Sequence, residues 1–184
     1  MSEKNTAARS AHDLGLAAWF GGSLMGAIGL NGACAEAKDP AERAKLAAYG
    51  WAKWTPVNTA AIGVHALGGL GLIGANKARL SAQPGARANT VSKAALTVAA
   101  MGLTAYSGYL GRQVDKHGHE GAVGATEPQG NASEALAKAQ KQLKITQWAI
   151  PAVTGVLVVM GAAQGEQQRP QSLVRNQLDR LPGR

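Results

Sequence analysis

The chain has 184 residues, a formal net charge of +8 and a single cysteine. The length fits about one domain of ~150 residues, and one cysteine excludes an internal disulfide and any Cys-x-x-Cys or haem-attachment motif. The basic balance invites nucleic acid, but the positive residues are scattered over five segments, so attraction to anionic lipid headgroups explains them better and no nucleic-acid partner is expected.

The mean hydropathy, −0.10, is that of a soluble protein. The average hides a segregation. All 30 Asp, Glu, Lys and Arg residues lie outside four windows, 14–34, 54–75, 94–111 and 145–165. A low-dielectric surrounding enforces such exclusion, because a central charge costs ~2.5–3.5 kcal/mol on insertion scales. A soluble bundle would place a charge every few residues to wet each helix's outer face. The windows therefore predict four membrane-spanning helices, rich in Gly and Ala and hence closely packed.

In chain order, residues 1–13 are polar, with Lys4 and Arg9 ahead of the first window. That window reads either as a signal peptide with Ala33-Cys34-Ala35 as its cleavage box, or as a retained span. Its 17 apolar or small residues before Asn31 exceed the core of about 7–15 expected of a signal. Gly22, Gly26, Gly29 and Ala33 form a smooth ridge along it, suited to helix packing. Retention is the favoured reading. Asp39 and Pro40 then supply a cap and a first helical residue for a connector helix running into the second window. That window, WTPVNTAAIGVHALGGLGLIGA, carries His65 at its centre and Gly71 and Ala75 four residues apart.

The 76–93 connector holds four basic residues and no acid. Window 94–111 follows, with Tyr106 and Tyr109 near its end. Residues 112–144 form a polar outer loop whose second half, EALAKAQKQLK, is a short helix capped by Ser133. Window 145–165 contains Pro151, tolerated where neighbours satisfy the freed carbonyl. The basic tail, 166–184, has Leu173, Val174, Leu178 and Leu181 near one face, as in a helix lying on a membrane surface.

The all-basic 76–93 connector is short and lies close to two spans, where the positive-inside rule applies best. Both termini are therefore expected in the cytoplasm. Tyr49, Trp51, Trp54, Tyr106, Tyr109 and Trp148 would then form an aromatic belt at the opposite interface. A faint duplication, Glu42–Trp54–Pro56 against Glu134–Trp148–Pro151, suggests two repeated helical hairpins about an axis along the membrane normal.

An ionisable residue at mid-membrane is a functional-site hypothesis by default, so His65 is the sharpest candidate cofactor-binding residue. It could hold a haem or a quinone, with Met25, Met101 or Met160 as an axial partner, or relay a proton. No other window contains a histidine, and His12 sits at the cytoplasmic edge; the plainer alternative is a neutral His bonding a neighbouring helix. Asn58 and Thr59 need partners, which Thr97 and Thr104 could supply from one face of window three, while Gln147 and Trp148 read as shallow. His117 and His119, with Asp115 and Glu120, form a candidate metal site, since imidazole and carboxylate suit Zn, Cu or Ni. The GGLGLIG run at 68–74 lacks the strand and acid of a dinucleotide fingerprint.

From His12 through Trp19-Phe20-Gly21-Gly22, Asp39-Pro40-Ala41-Glu42-Arg43 and Trp51-Ala52-Lys53-Trp54-Thr55-Pro56, the chain resembles uncharacterised multi-pass membrane proteins of actinobacteria. The resemblance covers about the first 110 residues. It implies a four-helix membrane protein and carries over no catalytic residue. The expectation is an all-α, integral membrane four-helix bundle of the cell membrane. It would be a non-enzymatic accessory or structural subunit, with the Gly22/Gly26/Gly29/Ala33 ridge docking on another membrane subunit or on itself. The alternatives are a haem, quinone or other small-molecule site centred on His65, or a small transporter using the outer histidines.

Overall fold

The computed structural model describes residues 3–167, so the tail and its Leu173/Val174/Leu178/Leu181 face lie outside the described residues. Each charge-free window lies in a helix, but every helix is longer than its window. The first rod runs through α1 (Glu3–Met25), a π-turn over Gly26–Leu30 and α2 (Asn31–Ala35). Helix α3 (Pro40–Ala75) starts as its sequence dictates, with the Asp39 carboxylate accepting the Ala41 amide at 2.9 Å and Pro40 in the first turn. Its 36 residues extend about 54 Å. A short α4 (Lys77–Ala82) leads to α5 (Pro84–Lys116), again opened by a proline, and α6 (Glu134–Gln167) completes the set.

Among the described residues three helices, not four, are long and apolar enough to cross a membrane: Asn5–Ala35, Pro40–Ala75 and Glu134–Gly165. The stretch 94–111 in α5 falls short because Thr97, Thr104, Ser107 and three glycines dilute its aliphatic residues. That dilution is put to use. The Thr104 hydroxyl accepts the indole N–H of Trp19 at 3.1 Å and donates to the Ala100 carbonyl at 2.9 Å.

The two most extensive helix pairings are α1 with α3 and α5 with α6, two antiparallel hairpins, joined mainly where α1 meets α6. The central core holds Leu16, Trp19, Ala100, Ile150 and Leu157, flanked by Ile62, Leu96, Leu103 and Val153. Around it the outer faces stay apolar, with Leu67 71%, Val98 68% and Leu70 64% exposed. The belt residues Tyr49, Tyr106, Tyr109 and Trp148 are exposed as well.

The 112–144 insertion is more ordered than a polar loop with a short helix. Helix α5 continues to Lys116, a 3-10 turn covers Gly118–Glu120, and strands β1 (Ala122–Gly124) and β2 (Glu127–Pro128) pair antiparallel. The lead-in helix is continuous with window four inside α6. Gly121, at φ +81°, makes the turn into β1 in a backbone region that favours glycine. Ala122 is wholly buried among Ala44, Leu110, Val114, Leu136, Ala139 and Leu143. The hairpin thus plugs one end of the bundle. Its carbonyls are spoken for: Gln140 Nε2 donates to Gly124 and Ala125 at 3.2 and 3.4 Å, and Arg43 to Val123 at 3.1 Å.

Candidate functional site

His65 does have a partner of its own kind. His12 Nδ1 lies 2.8 Å from the His65 carbonyl, and His65 Nδ1 lies 2.9 Å from the His12 carbonyl. The rings stack with centroids 3.9 Å apart and planes 19° from parallel. A carbonyl oxygen only accepts, so each Nδ1 carries the proton and each Nε2 presents a lone pair. Thr97 on α5 faces the His65 Nε2 at 3.5 Å, and Trp19 meets the His65 ring edge-on.

The backbones can come this close because of two glycines. A Cβ on Gly15 would lie 2.5 Å from the Ala61 carbonyl and 2.6 Å from the His65 amide nitrogen. A Cβ on Gly68 would lie 2.5 Å from the His12 amide nitrogen and 2.7 Å from the Ala8 carbonyl. The contacts are reciprocal, and so is the sequence: His12-Asp13-Leu14-Gly15 on α1 and His65-Ala66-Leu67-Gly68 on α3. Each histidine bonds across the crossing, and the glycine one turn later seats the other helix's histidine backbone. This duplicated His-x-x-Gly is the sequence signal of the crossing, and the charge-free windows conceal it by leaving His12 outside.

His12, expected at an edge, is level with His65. His65 lies ten residues before the end of α3, and His12 nine residues after the start of α1. At 1.5 Å per residue both sit about 15 Å from the same end of the bundle. The window's centre is not the helix's centre.

Beside this pair is a cavity of about 300 Å³ between α3 and α5. His12, His65, Thr97 and Lys93 line its polar side, with Arg9, Asp13 and Gln164 at the end, and Leu70, Ile73, Val98 and Met101 give it apolar walls. Lys93 is half-buried and donates to the Gln164 side-chain oxygen at 3.4 Å. Among the described residues no carboxylate forms an ion pair with it. Of the three methionines that could partner His65, Met101 shares its cavity, whereas Met25 lines a second groove with Trp51 and Trp54. Two axial imidazoles would stand on opposite faces of a haem, and stacked rings cannot do so.

The expected glycine ridge divides in two. Gly22 lies against the Trp54 indole and Gly26 against that of Trp51, where any side chain would collide with the ring. Half of the surface expected to dock a partner is thus used within the chain. Gly29 and Ala33 are exposed, Gly29 touching only Met25 of its own helix. Gly71 is 3.3 Å from the Ala8 methyl, measured from its would-be Cβ, and Ala75 is exposed.

Two polar expectations change as well. Thr97 and Thr104 serve His65 and Trp19, while Thr59 bonds the Thr55 carbonyl at 2.8 Å. Gln147, whatever its depth, is buried within the bundle and partnered: its oxygen accepts from Asn31 Nδ2 at 2.7 Å, and Asn31 accepts the Trp51 N–H at 3.0 Å. This bridge ties α2, α3 and α6 together immediately after the π-turn.

His117 and His119 sit at the plugged end. His117 Nδ1 pairs with Glu120 at 2.9 Å, and His119 is exposed. Glu120 also accepts the Ser133 amide at 2.7 Å and its hydroxyl at 2.9 Å, and Ser133 in turn caps the Leu136 amide at 3.2 Å. The Ser133 amide, more than the hydroxyl and His117, holds the Glu120 carboxyl below its ordinary value. Burial alone would raise Glu127, but Lys144 at 3.1 Å and Thr126 bring it below the usual range. No group of three or more His, Cys, Asp or Glu residues able to hold a metal occurs among the described residues.

A scan against protein-family models and searches of curated proteins and of solved structures find no match.

Proposed function

We propose that this chain is a non-enzymatic, multi-pass protein of the cell membrane that holds a small molecule in the cavity beside the His12–His65 pair. The cavity carries this reading. Its volume, about 300 Å³, falls at the lower end of ligand pockets of about 300–1,000 Å³. Its mostly apolar wall with a few convergent polar groups is the usual composition of such sites. With both Nδ1 protons donated to backbone carbonyls, the pair offers the cavity its Nε2 atoms as acceptors.

The membrane assignment is supported by three helices of sufficient length and apolarity and by the exposed Leu67, Leu70, Val98 and Val159. A soluble monomer rarely exposes contiguous apolar surface on this scale. Helix α5 packs along α6 and would cross with it, giving four crossings with both termini in the cytoplasm. Association with other membrane subunits or with itself would use the exposed faces rather than Gly22 and Gly26.

In a Cys34→Ala background, Gly130→Cys should be labelled by a membrane-impermeant maleimide from outside intact cells, and Gly85→Cys only after permeabilisation. Equal labelling of both in intact cells contradicts the topology. For the cavity, organic extraction of purified protein followed by mass spectrometry should recover a small molecule from the wild type. Ala66→Phe, which fills the cavity, should lose it; identical extracts from both proteins contradict the binding role.

A further inference from the structure

We propose that the cavity takes an anionic amphiphile, with a phosphate or carboxylate head at Lys93 and a hydrocarbon chain along Leu70, Ile73, Val98 and Met101. This inference rests on the cavity being a binding site and names the class of molecule that fills it. The first reason is charge. Lys93 is half-buried in a largely apolar cavity, has only the neutral amide of Gln164 as hydrogen-bond partner, and pairs with no carboxylate among the described residues. A desolvated ammonium is costly unless an anion compensates it. Among the described lining residues Asp13 is the only acid, and it forms no ion pair with Lys93.

The second reason is shape and access. The apolar walls belong to side chains that also face outward, Leu70 being 64% and Val98 68% exposed, so the cavity opens sideways between α3 and α5. A chain can enter from a bilayer without crossing water. The third reason is hydrogen bonding. His12 Nε2 has no hydrogen-bond partner among the described residues, and His65 Nε2 has only the long contact to Thr97. Both are acceptors while the rings are neutral. A head that carries a hydroxyl beside its acid, as a glycerol phosphate does, satisfies Lys93 and the histidine acceptors together. The 76–93 connector, which supplies Lys93 and has four basic residues and no acid in its sequence, draws such heads from an anionic leaflet.

The test is native mass spectrometry of the full chain in detergent, incubated separately with dioleoyl phosphatidylglycerol, oleate and dioleoyl phosphatidylcholine. The wild type should retain an anionic amphiphile about fivefold better than phosphatidylcholine, and Lys93→Gln should erase that preference. Lys53→Gln, in the other groove, should keep it. Retention of phosphatidylglycerol alone identifies a membrane lipid, and retention of oleate alone a free acid; either supports the proposal. Equal retention of phosphatidylcholine, or an unchanged preference in Lys93→Gln, overturns the anionic head. Should Lys93→Gln fail to fold, Asp13→Asn decides, because removing the opposing acid must strengthen the preference; a weaker one contradicts it. Ala66→Phe separates the two levels. If it abolishes uptake of all three probes while Lys93→Gln shows no charge effect, the cavity binds but not by charge. If Ala66→Phe changes nothing, the cavity is not the site and both readings fall.

Discussion

The two ends of this bundle solve opposite problems. At one end the 118–128 turn and hairpin insert Ala122 among Leu110, Val114, Leu136 and Leu143, and the hairpin's backbone is bonded by Gln140 and Arg43. At the other end no described residue is inserted in this way. There α1 and α3 are pinned by the His12–His65 exchange and two glycine seats, while α3 and α5 stand apart around a cavity of about 300 Å³. The same four helices are thus closed by a plug at one end and held open at the other. What distinguishes the ends is where polar groups point: at the plug Gln140 and Arg43 bond backbone, whereas at the cavity Lys93, His12 and His65 line the open space. Among the described residues Lys93 is held only by Gln164 and His65 Nε2 only by a long contact to Thr97.

The comparison is broken most severely at the crossing. Gly68→Leu must push α3 away from the His12 backbone and should cost about 3 kcal/mol or more. Thermal unfolding in detergent should show a large drop for this variant, and a melt within a few degrees of wild type would refute the close seat.

At the plug, Leu136→Ala removes a side chain that is 1% exposed and should cost about 2–5 kcal/mol. It should leave uptake at the cavity unchanged, because the site lies at the far end; parallel loss of stability and uptake would couple two ends that the fold keeps apart. Trp19→Phe is milder. It keeps most of the ring but leaves Thr104 without the indole donor, at about 1 kcal/mol.

The smallest effect is a pH dependence confined to the plug. Glu120 has a folded value below its unfolded one, so its contribution is fully present above the ordinary carboxylate value of about 4.3 and is lost as pH falls through the lowered value. Glu120→Gln should therefore melt lower than wild type at neutral pH, and the gap should close in acid. A gap that widens on acidification would reverse the sign.

Much of the helical layout could be read from charge exclusion, since Asp13, Glu36, Lys53, Lys93, Arg112 and Lys144 border windows that all lie within helices. Helix length could not, because a helix does not stop where charge begins: α1 carries Lys4, Arg9 and Asp13 through its first turns. That blind spot hid the site, leaving His12 outside every window although helix geometry sets it level with His65. The plug was illegible for another reason. Its strands are three and two residues long, too short for an alternating pattern to register. Thr97 and Thr104 were legible as polar groups on one face, but which donors they serve depends on how α5 turns toward α1 and α3.

The central claim is that His12 and His65 each donate a hydrogen bond from Nδ1–H to the other's backbone carbonyl. Nitrogen-15 NMR of histidine-labelled protein in micelles, assigned by His12→Gln and His65→Gln, reads the tautomer directly. Protonated Nδ1 and unprotonated Nε2 on both residues is the predicted result. An Nε2–H tautomer at either histidine would contradict the crossing, and with it the cavity that the crossing holds open.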